Sequence, residues 1–137
     1  MIGILIIAHG TLGESMIHCA SHVFGGPPPQ LRQLGVNVHD DPNAVLPKVR
    51  ELIEALDEGA GILVLTDIYG ATPSNLICHL IEPGRVECVA GINLPMLVRA
   101  LTYRNEPLAV VTEKALSGGR EGVIHVTLEA CDVTARP

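Results

Sequence analysis

The chain has 137 residues, 47% hydrophobic and 18% charged, with a formal net charge of −6. That length suits one soluble domain with a real core, and one Phe, two Tyr and no Trp leave the core to Val, Leu, Ile and Ala. Base-stacking side chains are scarce and basic surface is thin, which argues against single-stranded nucleic acid and anionic membranes as ligands.

Ile2 to Ala8 is an apolar run without alternation, the pattern of a strand covered on both faces, and it delivers His9 and Gly10 to its end. Thr11-x-x-Glu14 reads as a capping box opening a helix with Met16, Cys19, Ala20 and Val23 at helical spacing. After Pro27 to Pro29, Leu31 to Val38 is a weaker strand candidate. Asp41-Pro42 then reads as the cap and first residue of a helix whose apolar face carries Val45, Val49, Leu52, Ile53 and Leu56. Gly61 to Thr66 is a third strand, ended by Asp67, and Thr72-Pro73 opens another helix in the same way. Val86 to Ala90 is a strand, Pro95 and Met96 form the first turn of a helix, and Pro107 to Leu116 is helical until Gly118-Gly119 ends it. Val123 to Leu128 alternates like a half-exposed strand.

Strands alternating with helices imply an α/β fold: a doubly wound, mainly parallel sheet with helices on both faces. Residues 1–129 read as a single domain and 130–137 as a loose tail. Cys19, Cys78, Cys88 and Cys131 have no C-x-x-C spacing and lie in apolar or periodic stretches, so they are expected to be reduced and mostly buried. No basic leader precedes the first strand, and no apolar run approaches the roughly 20 residues of a membrane span. The expected location is the cytoplasm.

In such a sheet, ligands sit beyond the carboxyl ends of the strands where the winding reverses. If the first and third strands are neighbours, His9 and Asp67 face one another there. A carboxylate that accepts a hydrogen bond from one ring N–H leaves the other nitrogen unprotonated and aimed outward. No serine or cysteine nucleophile stands beside the pair, so the imidazole itself becomes the candidate nucleophile. Helix starts at Thr11 and Thr72-Pro73 would present free N–H groups suited to a phosphate, with Gly70 allowing close backbone approach. Phosphoryl transfer rests mainly on positioning and donors, so this phosphohistidine reading requires no metal and no cofactor. A strand-end histidine is more often structural than catalytic, and a capping threonine before proline needs no ligand.

Four segments, IIAHGTLGESM, TDIYGATPSN, AGINLPMLVRAL and SGGREGV, in that order and spacing, resemble the IIA component of the mannose-family phosphoenolpyruvate-dependent sugar phosphotransferase system. The resemblance runs from Ile2 to about Val126. It implies a phosphoryl carrier that accepts the group from phospho-HPr on His9 and passes it to a IIB component. It also implies pairing of Asp67 with His9, and a phosphoryl-binding loop at Ala71 and Thr72. With the helix-start reading, the phosphoryl-binding set is Gly10, Thr11, Gly70, Ala71 and Thr72. The expected phosphorylated atom is His9 Nε2, with Asp67 on Nδ1. The family's fold implies a homodimer that exchanges a C-terminal antiparallel edge strand, which Val123 to Leu128 fits and which covers a sheet edge.

Ala71, Ser74 and Arg99 depart from the commoner pattern of that family, and Arg99 bears on partner choice. No alanine-proline linker and no fused IIB domain follow in this sequence, which leaves sugar uptake with IIC and IID membrane components or a regulatory phosphorelay as the two settings. A non-transport regulatory module is one alternative. A histidine-phosphatase-like enzyme is another, weakened because Ala8 stands where those enzymes place an arginine; a chelatase-like use of His9 and His22 is a third. His18 and His22 have i, i+4 ligand spacing with no third ligand evident, and read as a solvated helix face. His39 reads as the polar approach to a helix cap, His79 and His125 as structural residues, and Arg120 as a turn charge or a dimer or partner contact.

Overall fold

Gly3 to Ala8 are all buried, which puts β1 (Gly3–His9) in the interior of the sheet. The computed structural model, which describes residues 1–67 and 76–131, pairs β1 in parallel with β2 (Leu31–Val36) and with β3 (Ile62–Thr66). β3 pairs in parallel with β4 (Val86–Ala90), so the strand order is β2-β1-β3-β4. The register sets His9 opposite Val36 and Ile7 opposite Thr66.

Strand side chains alternate between two apolar layers, as the period of two demands. Ile4, Ile6, Ala8, Leu63 and Leu65 face α1 (Leu12–Phe24), α3 (Leu94–Thr102) and α4 (Leu108–Glu121), which contribute Ala20, Leu97, Ala100, Val111 and Ala115. Leu5, Ile7, Ile62 and Val64 face α2 (Pro42–Leu56) through Val45, Val49, Ile53 and Leu56, and a helical turn at residues 76–78 adds Leu76 and Ile77. The β1-α1-β2 connection covers one face and β2-α2-β3 returns over the other. The winding therefore reverses between β1 and β3.

The start of α2 follows the sequence expectation: Asp41 Oδ1 accepts from Asn43 N–H at 3.0 Å, with Pro42 next in line. α3 opens with Asn93 Oδ1 accepting from Met96 N–H at 2.9 Å, while Asn93 Nδ2 donates to the Gly119 carbonyl at 3.0 Å. Thr11 holds the N-cap position of α1, but its hydroxyl makes no capping bond, so the expected capping box does not form. Glu14 remains in the first turn, where its charge suits the positive helix end.

Gly118 and Gly119 do not end α4, which runs to Glu121. A Cβ on Gly118 would stand 2.8 Å from Arg99 Cβ, and one on Gly119 would stand 2.6 Å from Met96 Cε. Both glycines serve the close approach of α3, and that packing outweighs their helix cost of about 1 kcal/mol each. Arg99, expected to bear on partner choice, is held within the chain by Glu121 Oε2 at 2.5 Å.

The expected strand at Val123 to Leu128 is not formed in the single chain. Among the described residues they pair with no strand, and Val123, Ile124, Val126 and Leu128 are 78%, 67%, 71% and 81% exposed. The cysteines also differ from expectation: Cys19, Cys78 and Cys131 are exposed, and Cys88 alone is partly buried. Apolar neighbours in sequence do not bury a helical residue that faces outward. The expected helix start at Thr72-Pro73 lies outside the described residues, as do residues 132–137 of the expected tail.

Arg104, 5% exposed, anchors the amino edge of the sheet. It donates to the carbonyls of Ile2 at 2.9 Å, Gln30 at 2.6 Å and Pro29. Burial holds its guanidinium pKa below the ordinary value.

Candidate functional site

β1 and β3 end side by side, so the residue closing one and the residue after the other meet at the point where the winding reverses. Asp67 Oδ2 accepts two hydrogen bonds from His9, one from the backbone N–H at 3.0 Å and one at the ring Nδ1 at 2.8 Å. An ionised carboxylate only accepts, so the hydrogen of that second bond sits on Nδ1 and the Nε2 lone pair is left available. The His9 side chain is 38% exposed against 10% for Asp67. The imidazole thus reaches solvent while the carboxylate bonded to it is largely covered.

The turn after His9 is pinned from β2. Gly10 N–H donates to the Val36 carbonyl at 3.1 Å. Gly10 has φ +55°, and a Cβ there would meet nothing within 4 Å among the described residues, so glycine is needed for its backbone conformation. α1 begins two residues later and presents its amino end, with Thr11 at the cap, on the same side as His9. Its free N–H groups and positive dipole end suit an anion. The structure thus brings together His9, Asp67, Gly10 and Thr11. Gly70, Ala71 and Thr72 lie outside the described residues.

Gly35 was not singled out from the sequence. An added Cβ would stand 2.3 Å from the Gly10 carbonyl oxygen. A glycine inside a strand candidate, Leu34-Gly35-Val36, is the usual sign of close backbone approach and was the signal available. The carboxyl edge is further tied by the Thr66 carbonyl, which accepts from Gly91 N–H at 2.9 Å and Ile92 N–H at 3.0 Å.

The other candidate histidines stand apart. His39 is exposed in the approach to α2, His79 is exposed in a turn, and His125 is exposed in the unpaired segment. Arg120 is exposed on the last turn of α4. A hollow of about 720 Å³ opens at the opposite, amino edge of the sheet, between Ala60, Gly84 and Pro107. Glu87, Glu106 and Glu113 line it, and three carboxylates disfavour a phosphate there. No helix among the described residues is long and apolar enough to cross a membrane.

The chain has known relatives. The family described as EIIA-man, PTS system fructose IIA component, matches residues 3–114. The chain is 29% identical over 128 residues to the PTS system mannose-specific EIIAB component of Escherichia coli K12, covering 89% of this chain and 38% of that protein. It thus spans well under half the length of that relative. It is 27% identical over 110 residues to the PTS system fructose-specific EIIA component of Bacillus subtilis strain 168, covering 76% of this chain and 71% of the relative. The crystal structure of phosphotransferase system component EIIA from Streptococcus agalactiae superposes with a TM-score of 0.80 at 25% identity, over 96% of this chain and 100% of that one. The mannose/sorbose specific IIA subunit from Enterococcus faecalis shares the fold, with a TM-score of 0.82 at 20% identity over 93% and 96% of the two chains. The family match spans most of the sequence, including β1, which ends at His9, and β3, which Asp67 follows: this chain belongs to the EIIA-man family of phosphotransferase-system IIA components.

Proposed function

We propose that this chain is a cytoplasmic phosphoryl carrier that takes the group from phospho-HPr on His9 Nε2 and yields it to a IIB component. The observation that carries this reading is the double hydrogen bond from His9 to Asp67 Oδ2, which leaves Nε2 as the available ring nitrogen. In the forward step a bond forms between Nε2 and phosphorus as the donor's bond to phosphorus breaks. Asp67 balances the positive charge that develops on the imidazole. The amino end of α1, with Gly10 and Thr11, supplies N–H groups to the phosphoryl oxygens, and Gly70, Ala71 and Thr72 complete that cradle.

The same reading includes a homodimer. Among the described residues β4 is the last strand of the sheet, and Val123, Ile124, Val126 and Leu128 form an exposed apolar stretch with no strand partner. Exchange of residues 123–128 as an antiparallel edge strand covers both. Light scattering is expected to give twice the 14.5 kDa chain mass, and a monomer would remove this part of the reading.

The central test is incubation with phosphoenolpyruvate, enzyme I and HPr, read by intact mass. One phosphoryl group is expected, labile in acid and absent in His9→Ala, and an unchanged mass with active donors sinks the reading. Asp67→Asn is expected to slow transfer on the order of 10²-fold with the fold intact, because it removes the negative charge facing the imidazole.

A further inference from the structure

His18 and His22 lie one turn apart on the exposed side of α1, and their Nε2 atoms converge to 3.3 Å. The rings meet edge to face, with centroids 4.8 Å apart and planes at 88°. Two nitrogens bound about 2.0–2.1 Å from one tetrahedral zinc stand about 3.3–3.4 Å apart, so the observed separation is already that of two ligands on one ion. We infer that His18 and His22 form a surface chelate for a borderline divalent metal ion such as zinc, separate from the His9 site.

The surroundings suit a cation. His22 is in the last turn of α1, where the negative end of the helix dipole favours positive charge. The pair lines an open hollow of about 410 Å³ with Ser21, Gly25 and Gly26, which leaves room for water on the remaining coordination positions. Gly25 closes the helix with φ +73° and no side chain to obstruct that space. Imidazole is the nitrogen donor that zinc, copper and nickel share, so those ions are the chemical class the site takes. Among the described residues no third His, Cys, Asp or Glu joins the pair, and the chelate inferred here has two protein ligands.

The pair as it stands also fits a simple imidazole–imidazole hydrogen bond, with one neutral ring donating to the other. Titration of the full chain with zinc chloride at neutral pH separates the two, followed by calorimetry and by the ring resonances of the histidines. The expected result is one saturable site per chain. His18 and His22 resonances shift together while that of His79 stays in place. His18→Gln and His22→Gln should each weaken binding at least about tenfold, since even outer partners of a metal ligand are worth 10–100-fold, whereas His79→Gln leaves it unchanged. Both histidines are exposed, so unchanged circular dichroism is expected in the variants. No saturable binding up to millimolar zinc, or wild-type affinity in the His18→Gln/His22→Gln double variant, would overturn the chelate. Neither readout involves phosphoryl transfer.

Discussion

Gly35→Ala tests whether β2 sets the position of His9. The added Cβ would stand 2.3 Å from the Gly10 carbonyl oxygen, against 3.4 Å where ordinary contact begins, so the two strands must part by about 1.1 Å at this point. Nothing there is a flexible side chain that can swing aside. Gly10 is held by its bond to the Val36 carbonyl, and His9 by its N–H bond to Asp67, so the displacement is passed to the imidazole. Overpacking of this kind costs about 1–3 kcal/mol. For a chain of this length that is a melting temperature lower by roughly 3–12 °C. A misplacement of about 1 Å at a reacting group is worth on the order of 10²-fold in rate. Calorimetry gives the first quantity, and a time course of phosphorylation by phospho-HPr, read by intact mass, gives the second. Gly10→Ala is the comparison for stability: its Cβ meets nothing within 4 Å among the described residues, and it carries the left-handed backbone penalty of about 1–2 kcal/mol. Wild-type transfer together with wild-type melting in Gly35→Ala would refute the reasoning.

Three further outcomes concern the rest of the molecule. Arg104→Met strands the carbonyls of Ile2, Pro29 and Gln30 at the amino edge and is expected to cost about 2–4 kcal/mol, seen as a lower urea midpoint with an unchanged slope; an unchanged midpoint would show that those bonds add nothing. Burial pushes the Cys88 thiol up to about 12, so a thiol reagent at neutral pH should label Cys19, Cys78 and Cys131 in the folded chain and reach Cys88 only slowly; equal labelling rates would contradict this packing. The Gly59 N–H, then Gly61 and Arg85, hold the Asp57 carboxyl below its ordinary value of 3.8. Its stabilisation is therefore complete above that value and lost as pH falls through the lower folded value, and Asp57→Asn should flatten the acid limb of a stability–pH curve.

Much of the fold was legible because it rests on local chemistry. Apolar runs without alternation marked β1 and β3, and Asp41-Pro42 marked the start of α2, since a cap and its N–H partner lie within a few residues of each other. Local reading failed where distant elements press together. Gly118 and Gly119 looked like a helix stop and are instead the surface on which α3 rests. Thr11 had the right neighbour at Glu14, yet its hydroxyl makes no capping bond. Cys19 and Cys78 sat in apolar stretches and still face outward, because burial depends on which side of a helix meets the sheet.

The candidate site divides in the same way. The amino-acid sequence by itself placed His9 at the end of one strand and Asp67 at the end of another, and its four motifs pointed to the family. What it left conditional was whether those strands are neighbours, since the two residues are separated by 58 positions. The winding of α1 over one face and α2 over the other sets β3 beside β1, and that adjacency alone brings Asp67 Oδ2 within 2.8 Å of Nδ1. The candidate histidine was written in the chain; the bond that sets its tautomer came from packing, because a hydrogen bond between distant residues exists only once the sheet has formed.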